Sequence, residues 1–182
     1  MRVTQNATLA TCASSENGEY VGPLRLWDVP TGTPKRDVIP DNIHGRPMAL
    51  SPDGSIVATG GKSVKLWDTH TGKPLRELFG ILKRTQSIAF SADGKRIVAG
   101  GSYGTTNLWD VSSGRLLVTL FTPSTTTDAD AWFACTPEGF YDGSPDIDPH
   151  LAWRTDDHLV RAQTLAPQLH HPDRITAALR AP

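Results

Sequence analysis

Short apolar runs and turn-forming clusters alternate along most of this chain. Met48-Ala49-Leu50 meets Ser51-Pro52-Asp53-Gly54, and Ile56-Val57-Ala58 follows. Ile88-Ala89-Phe90, Ser91-Ala92-Asp93-Gly94 and Ile97-Val98-Ala99 repeat that order. Asp-Gly between two β-type runs predicts a tight hairpin, because glycine reaches positive φ at low steric cost. The next run ends in Leu66-Trp67-Asp68 or in Leu108-Trp109-Asp110, so residues 64–67 and 105–109 read as third strands. Thr71-Gly72 and Ser113-Gly114 make the following turns, and residues 74–78 and 115–120 read as outer strands. Helical signals gather in the tail at 172–180. Pro172 stands at the first helical position, Asp173 in the first turn and Arg180 in the last, with Ile175 and Leu179 on one face. A helix this short needs docking onto the strands.

The three-strand phrase recurs. Leu26-Trp27-Asp28 with Thr31-Gly32 is an earlier copy, and the tryptophans at 27, 67 and 109 lie 40 and 42 residues apart. Its first hairpin is eroded: Gln5-Asn6 replaces the Pro-Asp pair, and residues 15–21 form a longer polar turn. A fourth copy is degenerate. Residues 131–144 again show an apolar run, a Pro-acid-Gly turn and an aromatic run, and Trp153 falls 44 residues after Trp109, with Arg154 where aspartate stood. A period of about 40–45 residues closing on Trp-Asp marks the blade of a β-propeller, in which each small sheet buries its faces only against its neighbours.

These units resemble the WD40 repeat family over roughly residues 1–155. The resemblance implies an all-β fold: a partial propeller of about four blades, each a four-stranded antiparallel sheet, with a short C-terminal helix. Units are expected at 1–41, 42–81, 82–122 and 123–165, with a tail at 166–182. It also implies that Trp27, Trp67, Trp109 and Trp153 pack between blades with their indole N–H groups bonded to oxygen, beside the motif aspartates Asp28, Asp68 and Asp110. The family's Gly-His pair survives only as His44-Gly45, and the usual aspartate is missing from residues 60–63 and 101–104. The buried network of the family is therefore incomplete, and somewhat less stable blades are expected. Residues 128–180 further resemble the closing section of bacterial WD40 proteins that often precedes a caspase-like peptidase domain.

Composition sharpens this. At 182 residues the chain holds one sizeable core but too few repeats for a seven-bladed ring. Three arrangements stay open: the tail of a longer propeller, a ring completed by a second copy or another protein, and closure with four blades. With 18 basic and 19 acidic residues, net charge −1, there is no footprint for nucleic acid or an anionic membrane. Lys83-Arg84 and Lys95-Arg96 read as solvated strand edges. Cys12 and Cys135 read as small core residues in a reducing compartment, and a cytoplasmic location is expected.

Candidate chemistry is thin. His170-His171 with Asp173 lacks ligand spacing for a metal. Cys135 with His150 or His158 lacks the context of a nucleophile pair. Glu138, Asp142, Asp146 and Asp148 lack the closing glutamate of a calcium loop and read as solvated turns. The glycine pairs 60–61 and 100–101 end strands rather than cradle phosphate. No cofactor, metal or catalysis is expected. The favoured function is a protein-interaction scaffold within a larger regulatory or sensing propeller, its partner a protein. Arg46, Lys62, His70 and Tyr103 are the turn residues expected to face that partner. The alternative is a ligand-binding or enzymatic propeller with a central-channel site, for which His44, Arg46, Arg84 and Asp130 are the available groups.

Overall fold

The computed structural model describes residues 2–3, 8–11, 23–39, 47–80, 83–122, 131–145, 147–148, 151–155 and 158–180. Its hairpins grow out of the Ser-x-Asp-Gly turns. The Ser51 hydroxyl donates to Asp53 at 2.6 Å and accepts from the Ile56 N–H at 2.9 Å. The Ser91 hydroxyl does the same with Asp93 and the Arg96 N–H. Each turn thus closes on its own side chains before the strands extend.

Three successive blades follow. The first holds β1 (Arg2–Val3), β2 (Thr8–Thr11), β3 (Leu24–Asp28) and β4 (Pro34–Ile39). The second holds β5 (Met48–Leu50), β6 (Ile56–Thr59), β7 (Val64–Asp68) and β8 (Pro74–Leu78). The third contains β9 (Thr85–Phe90), β10 (Arg96–Gly101), β11 (Thr105–Asp110) and β12 (Leu116–Phe121). All pairings within the blades are antiparallel. The first strand of the second blade lies beside that of the third, and β1 lies beside β5, so the blades stack as an arc.

The core is two interblade seams. Between the first two blades, Leu24 and Leu26 meet Leu50, Val57, Met48 and Trp67. Between the next two, Val64, Leu66 and Leu78 meet Ile88, Ile97, Ala99 and Trp109. The first and second blades therefore each offer the two alternating aliphatic side chains of their third strand to the tryptophan of the next, as the period-two pleat dictates.

The fourth unit departs from the expected separate four-stranded sheet. Its hairpin, β13 (Phe133–Cys135) and β14 (Tyr141–Gly143), pairs with the outer edge of the third blade, with Phe121 opposite Phe133 and Thr119 opposite Cys135. The third sheet thus has six strands. The remaining pair, β15 (Ala152–Thr155) and β16 (His158–Arg161), stands as a two-stranded sheet. Arg154 lies within β15, opposite Leu159 of β16, at the place where the other units carry the aspartate of their turn. The three-residue strands β13 and β14 instead extend the open β12 edge.

Two helices end the described chain. One, α2 (Pro172–Arg180), has the expected bounds. The other, α1 (Ala162–Leu169), follows β16 directly and tolerates Pro167. Ile175 and Ala178 of α2 pack on Leu108, Leu117, Val118, Leu120 and Ala134. That is the face of the third blade on which a following blade would sit, so the helix caps the arc at this end. Arg96 donates from its guanidinium to the Leu179 carbonyl, fastening the cap.

Candidate functional site

The motif aspartates are consumed by their own turns. Asp28 accepts from the Thr31 N–H at 3.0 Å and hydroxyl at 2.8 Å. Asp68 accepts from the same groups of Thr71, at 2.5 and 2.9 Å. Asp110 accepts from the Ser113 N–H at 2.7 Å and hydroxyl at 2.6 Å, and from the Ser112 hydroxyl at 2.7 Å. These donors favour the charged form. The Thr31 hydroxyl and N–H hold Asp28 below the usual carboxylate range, and Thr71 does so for Asp68. The Ser113 hydroxyl and N–H, with Ser112, bring Asp110 to about 2. Lys35 adds an ion pair to Asp28 at 3.3 Å.

The indole N–H groups of Trp27, Trp67 and Trp109 find oxygen, though not the same one. Trp27 donates to Thr11 Oγ1 at 2.7 Å and Trp67 to Thr59 Oγ1 at 3.0 Å. At the equivalent place the third blade has Ala99, and Trp109 turns to the Phe79 carbonyl at 2.9 Å. Trp153 does not enter a seam between four-stranded blades. It stacks in an aromatic group, 4.9 Å from the ring centre of Tyr141 and edge-on to Phe133 at 6.3 Å. Tyr141 is fully buried and donates to Asp148 at 2.9 Å. Burial first, then that carboxylate, pushes its phenol up to about 12.

This aromatic group absorbs the C-terminal histidines. His170 stacks on Tyr141 at 5.1 Å with Nε2 3.4 Å from Asp142, and His171 meets Phe140 edge-on at 5.3 Å. His171 Nδ1 stands 3.6 Å from Asp173. Among the described residues no three metal-ligating side chains converge. Cys135 is half-buried and its thiol is pushed up by burial, away from the nucleophilic thiolate. Cys12, His44, Arg46, Asp130, Asp146 and His150 lie outside the described residues. No described helix is long and apolar enough to cross a membrane.

The expected partner-facing residues separate. Lys62 follows β6 and Tyr103 follows β10, on one face of the arc, while His70 sits beyond β7 on the opposite face. The same antiparallel geometry parts Lys83-Arg84, which precede β9, from Lys95-Arg96, which open β10. On the Lys62 face the segments are tied together. Thr85 donates from Oγ1 to the Gly61 carbonyl at 2.9 Å, and the Ser102 N–H to the Arg84 carbonyl at 3.0 Å. The Lys83 ammonium lies over the Tyr103 ring, 5.1 Å from its centre.

Some contributors had weak signals in the chain. Arg76 reaches from the second blade to the third, donating to the Ser112 and Ser113 carbonyls at 2.8 Å each. Nothing in sequence pairs those residues. Thr11 and Thr59 could have been found, since each lies on the second strand two residues past the partner of its tryptophan, Leu9 or Val57.

Together these features define a partial β-propeller of WD-type blades. Residues 44–68 and 72–110 match the family described as WD domain, G-beta repeat. No curated protein matches the chain. Among solved structures it is similar to Kuenenia stuttgartiensis hydrazine synthase, with 16% identity, a TM-score of 0.54, and coverage of 78% of this chain and 44% of that one. That likeness is one of fold, and this chain spans less than half the length of that protein.

Proposed function

We propose that this chain is a non-catalytic protein-interaction scaffold, an arc that works within a larger propeller-type assembly. One observation carries the reading. Trp67 and Trp109 each join an apolar seam with the preceding blade, whereas Trp27, at the same place in the first blade, belongs to none of the apolar clusters among the described residues. Its face instead carries the Arg25–Asp37 pair at 2.6 Å, with the Arg25 guanidinium 5.9 Å from the Trp27 ring centre. A tryptophan-bearing blade face is complementary to the paired aliphatic side chains that a neighbouring blade presents. The opposite end of the arc is capped by α2, so assembly runs in one direction only.

Light scattering on a sizing column, over a concentration series, tests this. Reversible association above 19.7 kDa, weakened by Arg25→Glu, is the expected result. A single 19.7 kDa species at every concentration would overturn the reading, since the Trp27 face would then associate with nothing like itself.

A further inference from the structure

Tyr103 has φ 66° and ψ 32°, and Gly104 after it has φ 73°. Two left-handed residues in succession are what a type I′ hairpin turn requires, and such turns take Asn-Gly, Asp-Gly or Gly-Gly. Tyr103 is the one non-glycine residue with positive φ among the described residues. A bulky side chain is strained there, and strain of this kind concentrates at binding sites. Packing does not account for it, since the side chain is 68% exposed.

What surrounds the ring is cationic. Lys83 lies over it, with Nζ 3.5 Å from the phenol oxygen. Arg84 and Lys62 are exposed on the same face of the arc. None of the three forms an ion pair among the described residues. Glu77, the carboxylate nearest that face on β8, is occupied by the Ser63 hydroxyl. The motif and hairpin aspartates all sit in turns on the other face.

We propose that Tyr103, Lys83, Arg84 and Lys62 form a docking surface for an extended acidic peptide. The inference rests on the interaction-scaffold reading and names the partner's chemistry. Carboxylates of the peptide meet the two ammonium groups and the guanidinium, and an apolar side chain lies on the Tyr103 ring. A nucleic acid is the poorer fit, because three cations and a single exposed ring are too few to follow a phosphate backbone and stack successive bases.

The test is fluorescence anisotropy of the full chain against a labelled peptide of alternating Asp and Leu. A Lys-Leu peptide and a single-stranded oligonucleotide serve as comparisons. The acidic peptide is expected to bind most tightly, and less so as salt rises. Tyr103→Asn is the decisive variant, because asparagine suits the turn. It is expected to weaken the acidic peptide roughly two- to fivefold, through loss of the apolar contact on the ring and of the ring that holds Lys83 in place, while the thermal midpoint holds or rises. Lys83→Glu should weaken it further. Unchanged affinity in Tyr103→Asn, a lowered midpoint in that variant, or an oligonucleotide or basic peptide binding as tightly would each overturn the proposal. The scaffold reading would stand through any of these, since association in light scattering depends on the Trp27 face at the first blade.

Discussion

The indole N–H of Trp109 donates to the backbone carbonyl of Phe79, 2.9 Å away, across the seam between the second and third blades. Trp27 and Trp67 instead use a threonine hydroxyl of their own sheet. One requirement, a partner for a polar atom at a packed seam, is met by two solutions, because the third blade has Ala99 where the others have Thr11 and Thr59.

Thr59→Val keeps the shape of its site and removes the acceptor for Trp67. The indole N–H then loses its partner in a half-buried seam, and unfolding in urea should show a loss of about 1 kcal/mol. Ala99→Ser should also cost about 1 kcal/mol, because Trp109 already has the Phe79 carbonyl and the new hydroxyl is buried in an apolar seam without the indole as its partner.

Gly114 has φ 72°, and a Cβ there would come within 2.3 Å of Arg76 Cδ. Gly32 has φ 66° at the matching turn of the first blade, with nothing within 4 Å of its would-be Cβ. Both glycine-to-alanine changes incur the left-handed strain of roughly 1–2 kcal/mol. Gly114→Ala also displaces the guanidinium from the Ser112 and Ser113 carbonyls, so it should cost about 1 kcal/mol more than Gly32→Ala in the same urea experiment.

Acid should loosen the motif turns. Asp110 titrates near 3.8 when unfolded and at about 2 when folded. Its contribution is present in full above 3.8 and is lost as pH falls towards 2. The thermal midpoint should fall across that window, and Asp110→Asn should make the fall shallower.

Alkali acts through Tyr141. Its phenol titrates at 10.0 when unfolded and at about 12 when folded. The neutral form is the one the fold prefers, so stability is held below pH 10 and lost as pH rises towards 12. Phenolate absorbance should show a late-titrating component that disappears in Tyr141→Phe.

Ile175 anchors α2 on the third blade. Ile175→Ala should cost about 2 kcal/mol, at the low end for a buried isoleucine because the helix lies at the surface of the arc. Hydrogen exchange should quicken first in α2 and in β12 beneath it. Equal exchange in the variant and the parent would show that the helix does not cap that face.

The alternation of apolar runs and Asp-Gly or Trp-Asp turns determined the strands and their order, because each hairpin closes on side chains within a few residues of itself. Ser51 with Asp53, and Asp110 with Ser113, are local bonds that any reader of the chain can place. Helix α2 was legible for the same reason. What a face or an edge packs against is not a local property. The period-two pattern marks Leu108 and Val118 as inward-facing, but it does not say that a helix rather than a fourth blade covers them. The residues at 131–144 read correctly as a hairpin, yet only the fold placed it on the free edge of β12. The candidate surface divides in the same way. Lys62 and Tyr103 stand out as turn residues in the sequence. Their union with Lys83 and Arg84, the parting of that pair from Lys95 and Arg96, and the left-handed backbone of Tyr103 were decided by tertiary structure. Strand direction and interblade stacking, which no short window of sequence contains, choose the neighbours of each turn.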